Sequence, residues 1–302
     1  MLVLLCNLLS RSAAAEELIA RGNVSALASD GQRLFVGMFD QGLIEVRREG
    51  GSRAIGSTTL DPNVNALAID PALHALWVGT ARGLARCTLS DALCVRVGGR
   101  GSIHALLLLH EGTLLAGGEA GLLAVSREGE LRLLDRKGGA PFRAVWSLAE
   151  AQDGTVFVGT SNGLHFASLE GWFERAGARA RVGMVTGDLQ DDWVTALSIV
   201  HTTLWVGTYH AGVSSFAFAR GKLTRGDVDS ALGYVNPAGL LALDDGTLAV
   251  ATMEGLRVGT HDTFRSLPTA DRDVTAVLRA ASGRYWVGSR TGVELFELLA
   301  EP

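Results

Sequence analysis

Short apolar stretches alternate with turn residues along the whole chain, and the same order of stretches returns several times. A run such as VSALA (residues 24–28) is followed by a turn, by the phrase LFVGM, and by a second turn that ends in glycine. Apolar runs of this length between turn residues are typical of β-strands. The sequence therefore predicts an all-β protein that is built from copies of one unit.

The residue after the valine of this phrase marks each copy of the unit. It is glycine in six copies and alanine in one, namely Gly37, Gly79, Gly117, Gly159, Gly207, Ala251 and Gly288. The copies lie roughly 42 residues apart, which is the spacing of four-stranded propeller blades. Because one such sheet cannot bury both of its faces alone, the copies must pack into a ring. We expect one seven-bladed β-propeller domain of antiparallel blades over residues 16–300.

The last copy holds three strand-like runs before the sequence ends, so its fourth strand must come from elsewhere. Residues 17–21 match the fourth run of other copies, and they are expected to close the ring against the last blade. The bulky residue before the VG pair is expected to pack between adjacent blades, and the glycine leaves room for the neighbouring sheet. This position holds Phe35, Trp77, Phe157, Trp205 and Trp286.

The phrase LWVGT-x-x-G-L, preceded by V-x-A-L and Asp-Gly, resembles the two-component-regulator-type propeller repeat of bacterial ligand-binding sensor domains. The resemblance covers about residues 24–296 and is closest over 187–208 and 233–256. It implies a propeller with a sensing or binding role in the periplasm or outside the cell.

Composition and motifs exclude several other classes. The chain has 27 basic and 32 acidic residues, a net charge of −5, and no strongly basic stretch, so nucleic acid is not an expected partner. No apolar segment is long enough to span a membrane. No phosphate-binding loop, HExxH motif, EF-hand spacing or CxxC pair occurs, so we predict no cofactor and no metal site.

The N-terminus and the cysteines bear on localisation. Residues 1–15 combine an apolar run with a small-residue stretch, which is typical of either a secretory leader or an apolar tail packed on the fold. Cys87 and Cys94 flank a short connection between two strands and are candidates for a disulfide. That bond is expected if the protein is periplasmic or secreted, whereas in the cytoplasm both would remain thiols.

Candidate binding residues lie at one end of the predicted ring, where loops on a rigid scaffold most often carry function. The turns between the second and third strands share this face with the loops that lead into each first strand. These segments supply Phe39, Asp40, Asn63, Arg82, Glu119, Arg143, Asn162, Asp192, Trp193, Tyr209, His210, Asn236, Glu254, Asp273 and Arg290. From this set we choose as candidate ligand-binding residues Trp193, Tyr209, His210, Glu254 and Arg290.

Three functions remain open at this point. The leading hypothesis is a non-catalytic exported propeller that binds a small molecule, glycan or protein at the mouth of the central channel. The alternative is a metal-assisted lyase or lactonase, in which His210 is the general base beside a metal held by carboxylates such as Glu254. A structural interaction scaffold is the third.

Overall fold

The computed structural model describes residues 18–48, 50–56, 58–134, 142, 144–169, 173, 181–185, 189–219, 222–243, 245–260, 263–280 and 284–297. Residues 1–15 and Arg143, for which the sequence gives expectations, lie outside these described residues. Within them, the chain forms seven four-stranded antiparallel sheets, and a single 3-10 turn (Ser230–Leu232) precedes the sixth. The predicted seven-bladed β-propeller is confirmed. None of the described helical structure is long and apolar enough to cross a bilayer.

Each blade is a meander whose first strand is innermost. The first strands are β2 (Val24–Ser29), β6 (Val64–Asp70), β10 (Ile103–Leu108), β14 (Val145–Glu150), β18 (Val194–Val200), β22 (Leu240–Ala242) and β26 (Val274–Arg279). The second strands are β3 (Arg33–Met38), β7 (Ala75–Thr80), β11 (Leu114–Gly118), β15 (Val156–Thr160), β19 (Thr203–Thr208), β23 (Leu248–Thr252) and β27 (Arg284–Ser289).

The third and fourth strands complete each blade toward the outside. The third strands are β4 (Gly42–Arg47), β8 (Gly83–Thr88), β12 (Gly121–Val125), β16 (Gly163–Ser168), β20 (Val213–Ala219), β24 (Gly255–Gly259) and β28 (Gly292–Glu297). The fourth strands are β5 (Ser52–Ile55), β9 (Cys94–Gly98), β13 (Leu131–Leu134), β17 (Arg181–Met184), β21 (Lys222–Asp229), β25 (Arg265–Leu267) and, for blade 7, β1 (Ala20–Arg21).

The ring closes as the sequence predicts, through a shorter strand than expected. β1 pairs with β28 in the register Ala20 to Val293 and Arg21 to Gly292, and the Ile19 amide donates to the Val293 carbonyl at 2.9 Å. The strand was expected over residues 17–21; it covers two of these, and Glu17 lies outside the described residues.

The core consists of apolar clusters between adjacent blades. Phe35 of blade 1 is fully buried in a cluster that includes Val64 and Leu76 of blade 2. The bulky residues of the other copies take equivalent places, which confirms the predicted packing between sheets. Burial of this kind contributes about 25 cal/mol per Å² of apolar surface removed from water.

The VG glycine is explained by the next blade. A Cβ atom on Gly37 would lie 2.5 Å from Cγ1 of Val64, the first residue of the following blade, and one on Gly207 would lie 2.7 Å from Cγ1 of Val235. The first apolar residue of the next blade therefore sits in a space that only glycine leaves open. The same contact joins Gly79 to Ile103, Gly117 to Val145, Gly159 to Val194 and Gly288 to Val24. Blade 6 differs, because Ala251 replaces the glycine and faces a glycine of its own blade, Gly239.

The Asp-Gly turns are longer than the two-residue hairpins in which this dipeptide is most common. Three residues separate β2 from β3, and Gly31 takes the positive φ of 86° that the turn requires. The Asp30 carboxylate accepts hydrogen bonds from the amides of Gln32 and Arg33 at 3.0 and 2.7 Å. This side-chain turn closes the longer loop, and it replaces the backbone pairing of a tighter hairpin.

Candidate functional site

The loops that lead into the first strands and the turns after the second strands share one face of the ring, which we call the channel mouth. Val194 at the start of β18 pairs with Thr208 at the end of β19, and the Tyr209 amide donates to the Trp193 carbonyl at 3.0 Å. The equivalent bond in blade 2 joins the Ala81 amide to the Asn63 carbonyl. The two groups of loops predicted to share a face are therefore adjacent.

A continuous row of five aromatic rings crosses the channel mouth from blade 3 to blade 6. We call it the aromatic strip, and it consists of His104, Trp146, Trp193, Tyr209 and Tyr234. The rings of His104 and Trp146 are stacked with centroids 4.2 Å apart, and those of Trp193 and Tyr209 are stacked at 4.4 Å. Trp146 and Trp193 join the two stacks at 5.8 Å, and Tyr234 meets Tyr209 edge-on at 4.9 Å.

All five side chains of the strip are half-buried, and two carry unpartnered donors. The indole Nε1 atoms of Trp146 and Trp193 are buried and have no hydrogen-bond partner in the part of the chain that the structure describes. A buried indole N–H usually has a partner, because leaving a polar group without one costs about 1–3 kcal/mol. Two such donors in one row therefore distinguish the strip from the rest of the channel mouth.

His104 and Trp146 reach the strip because of β-bulges. The pairing of the first and second strands slips by one residue after Ile103 in blade 3 and after Val145 in blade 4. A bulge of this kind re-aims the side chain of the extra residue. Burial lowers the pKa of His104, although the Glu119 carboxylate opposes this shift, so the imidazole is neutral at pH 7.

Asp191 organises the part of the site around His210. Its carboxylate accepts hydrogen bonds from the backbone amides of Trp193 at 3.0 Å and His210 at 2.7 Å. The exposed His210 imidazole lies with Nδ1 3.4 Å from the same carboxylate, and its ring meets that of Tyr209 edge-on at 4.6 Å. Asp191 thus joins the loop before β18 to the turn after β19.

An ion pair borders the Tyr234 end of the strip. The guanidinium of Arg290 pairs with the carboxylate of Asp273, and its backbone amide donates to the Asp273 carbonyl. Burial, together with the nearby Tyr209 and Asp273, raises the pKa of Tyr234, and Arg290 acts in the opposite direction. The Tyr234 hydroxyl is therefore neutral and can donate a hydrogen bond at physiological pH.

Of the five candidate residues from the sequence, Trp193, Tyr209 and His210 lie together and Arg290 borders the strip. Glu254 differs, because it is 83% exposed and its carboxylate lies 3.3 Å from Arg257. Arg257 also donates to Ser266 on the outermost strand of its blade, so this carboxylate is held on the outer side of blade 6. Asn236, also named at this face, is buried and bonds the Val274 carbonyl.

Sequence reasoning missed His104, Trp146 and Tyr234. The first two occupy the middle position of the V-x-A pattern, where other copies have Ser25, Asn65 and Thr195. Two aromatic residues at this position in consecutive copies are the signal that could have identified the strip. Tyr234 directly precedes Val235, as Trp193 precedes Val194.

The disulfide expected from the sequence is present. Cys87 and Cys94 lie opposite each other on β8 and β9 and are joined by a disulfide. Phe173 packs against the cluster between blades 3 and 4, with the Arg132 guanidinium 5.2 Å from its ring centre. Among the described residues, no three His, Cys, Asp or Glu side chains converge as a metal site would require.

Comparisons with known proteins agree with the propeller. The extracellular domain of a protein assigned as the hybrid two component system BT4673 from B. thetaiotaomicron matches with a TM-score of 0.74 at 17% identity, over 93% of this chain and 39% of that chain. The corresponding domain of BT3049 gives 0.70 at 14% identity, over 91% and 40%. Streptogramin B lyase gives 0.72 at 10% identity, over 93% and 95%.

These identities are low, so the likeness is one of fold. It confirms at that level the resemblance to sensor propellers that the repeats indicate. The chain spans about two fifths of the length of the solved sensor domains that it matches. Neither a protein-family model nor a curated protein sequence matches the chain.

Proposed function

We propose that this propeller is a non-catalytic ligand-binding module of the sensor type, and that its ligand binds on the aromatic strip. The observation that carries the proposal is the pair of unpartnered indole donors within a row of half-buried rings. Apolar surfaces with a few convergent polar groups are typical of small-molecule sites. Two of the solved domains of similar fold are extracellular domains of hybrid two component systems, which supports the same assignment.

The proposed ligand is a polar small molecule or glycan with at least one flat face. Such a face packs on exposed edges and faces of the rings, and ligand oxygens accept from Trp146 and Trp193. The Asp191 and Asp273 carboxylates at the two sides of the strip accept hydrogen bonds from ligand hydroxyls. His210 and Arg290, which lie beside these carboxylates, complete the proposed polar rim.

We propose further that the protein works in the periplasm or outside the cell. The disulfide between Cys87 and Cys94 supports this localisation, because such bonds persist in oxidising compartments. Sequencing the N-terminus of the mature protein and alkylating its free thiols directly after cell lysis test this part. An uncleaved chain with two reactive thiols at residues 87 and 94 would contradict it.

The ligand assignment is tested by calorimetry with a panel of neutral and acidic oligosaccharides and short peptides. For whichever compound binds, Trp193→Ala should weaken affinity at least about tenfold, because stacking on one aromatic ring and burying it contribute about 1–3 kcal/mol. Phe39→Ala is the control, because Phe39 is a 41% exposed aromatic residue at the same face of blade 1, in the turn that corresponds to that of Tyr209. Equal effects of the two substitutions would contradict the assignment, and turnover that depends on Mg²⁺ and His210 would favour the enzyme alternative.

A further inference from the structure

A cavity lies at the end of the ring opposite the channel mouth, at the junction of blades 7 and 1. It measures about 550 Å³, within the usual range for small-molecule sites. Its walls come from the turn between β2 and β3, the turn between β4 and β5, and the strands β27 and β28. We call this cavity the seam cleft, because it borders the place where the ring closes.

The seam cleft has an apolar wall that follows from the ring closure. The closing strand β1 pairs only with Gly292 and Val293, so the remainder of β28 lies beyond that pairing. Trp286 is half-buried there, and its ring is available to a molecule in the cleft. The apolar side chains that line the cavity are Ile19, Leu34, Val46, Trp286 and Leu295.

Four arginine side chains also line the cleft, three on blade 1 and one, Arg284, on the same strand of blade 7 as Trp286. Arg33 is held by Asp30 at 2.7 Å and donates to the Leu89 carbonyl, so its role is structural. Arg47, Arg48 and Arg284 also line the cavity. Among the described residues, no carboxylate pairs with Arg48 or Arg284.

The carboxylate of Glu45, which lies beside these arginines, is already shared between several guanidinium groups. The buried Glu45 side chain accepts from Arg53 at 2.7 Å and from Arg47 at 3.0 Å, and Arg33 lies 4.0 Å away. Burial by itself would raise the pKa of Glu45, but the hydrogen bonds from Arg53 and Arg47 keep that pKa below its ordinary value. Glu45 and Asp30 thus pair with three guanidinium groups, and Arg48 and Arg284 add two further positive charges to the residues that line the cleft.

We propose that the seam cleft is a second binding site, and that it takes a small amphiphilic anion. The carboxylate, sulfate or phosphate group of such a molecule binds Arg48 and Arg284, and Arg47 adds its outward-facing N–H groups. Guanidinium groups are well suited to these anions, because their donors match two oxygens at once. An aromatic or aliphatic body of the same molecule packs on Trp286 and Leu295.

Calorimetry with naphthoate and its neutral isostere naphthamide tests this site. We expect naphthoate to bind the full chain and naphthamide to bind about tenfold more weakly, because only the anion engages the guanidinium groups. Raising the salt concentration should weaken naphthoate binding and leave naphthamide binding nearly unchanged. Equal affinities for the two compounds, or no binding of naphthoate, would overturn the proposal.

Substitutions locate the binding site. Arg48→Gln and Arg284→Gln should each weaken naphthoate about tenfold, and the melting temperature of each variant verifies that it is folded. Arg82→Gln is the control, because this exposed arginine lies at the channel mouth and loses the same charge. Trp193→Ala should leave naphthoate binding unchanged, which separates this site from the one on the aromatic strip. A similar loss in Arg82→Gln, or none in either cleft variant, would refute the assignment.

Discussion

Two arcs of the inner ring use the same sequence position in different ways. In the bonded arc, which comprises blades 1, 2, 5 and 6, the residue after the first valine donates a hydrogen bond. Its acceptor is the backbone carbonyl of the first apolar residue of the next blade. These donors are Ser25 at 2.5 Å, Asn65 at 3.1 Å, Thr195 at 2.7 Å and Asn236 at 2.5 Å. In the aromatic arc the same position holds His104 and Trp146, whose rings stack on each other.

The comparison distinguishes side chains that link neighbouring blades from side chains that are available to bind a ligand. Four blades link to their neighbours through a side chain in the channel, whereas blades 3 and 4 have aromatic rings in its place. Packing between glycine and valine is common to both arcs, since Gly37 contacts Val64 and Gly117 contacts Val145. Aromatic residues can therefore replace the hydrogen-bonding residues, because the valine contact still holds these blades together.

The largest expected effect comes from the contact that both arcs share. Gly37→Ala and Gly117→Ala should each lower the free energy of unfolding by about 2–3 kcal/mol, because the added methyl group would overlap a valine of the next blade. Urea denaturation measures the change. Gly98→Ala is the control, since its Cβ would lie 3.3 Å from a methyl group of Leu131, which is 43% exposed and can move. If Gly117→Ala is tolerated and Gly37→Ala is not, the two arcs do not share this packing.

A smaller change in unfolding free energy should distinguish a threonine that hydrogen-bonds the next blade from one that does not. Thr195→Val removes the bond to the Val235 carbonyl and should cost about 1–2 kcal/mol of unfolding free energy. Thr275 holds the equivalent position in blade 7, and its buried Oγ1 has no partner among the described residues. Thr275→Val should therefore be neutral or stabilising. Similar losses for both variants, by thermal or urea unfolding, would show that these side-chain bonds do not stabilise the ring.

The aromatic arc should also make stability depend on pH. Burial lowers the pKa of His104 and of the fully buried His165 from the ordinary value of 6.5. The unfolded chain therefore binds protons more readily, and the free energy of unfolding should decrease as the pH falls through about 6.5. The melting temperature should be lower at acidic than at neutral pH.

His104→Phe keeps an aromatic ring on Trp146 and removes one titrating group, so its melting temperature should change less with pH. His74→Asn is the control, because His74 is exposed in a turn with a positive φ that asparagine also adopts. If both variants keep the full pH dependence of the wild type, burial of His104 is not one of its causes.

The smallest effect is expected at Glu254. Its carboxylate is exposed and pairs with Arg257, so Glu254→Ala should change affinity at the aromatic strip less than about twofold and stability by less than about 0.5 kcal/mol. Calorimetry with the strip ligand measures this. A tenfold loss would bring Glu254 back into the site and would favour the metal-assisted alternative.

The fold follows from the sequence because each copy repeats the residues that its geometry requires. The turn glycine after the second strand recurs in all seven copies, the glycine of the VG position in six, and Asp-Gly in the turn before the second strand in three. Even the closing strand was predicted, although the pairing of Ala20 and Arg21 is shorter than expected.

The site could be predicted only in part. Trp193, Tyr209 and His210 lie in loops next to each other, and the alignment of copies places them at one face. His104 and Trp146 are about 42 residues apart, and their contact depends on two bulges and on the angle between blades. The alternation of strands and turns indicates neither the bulges nor this angle, so it places both residues in strands without bringing their rings together. Glu254 lies in the corresponding turn of blade 6, where its exposed carboxylate pairs with Arg257 on the third strand, so its part in binding stays a prediction.

The pairing of β1 with β28 means that the fold does not fix the blade at which the chain starts. The first and last described strands are neighbours in one sheet, so a short linker could join them, and new termini could be opened at the exposed turn around Gly154. Such a circularly permuted chain would carry all four strands of blade 7 consecutively. It should fold to the same ring, since every contact between blades would be retained.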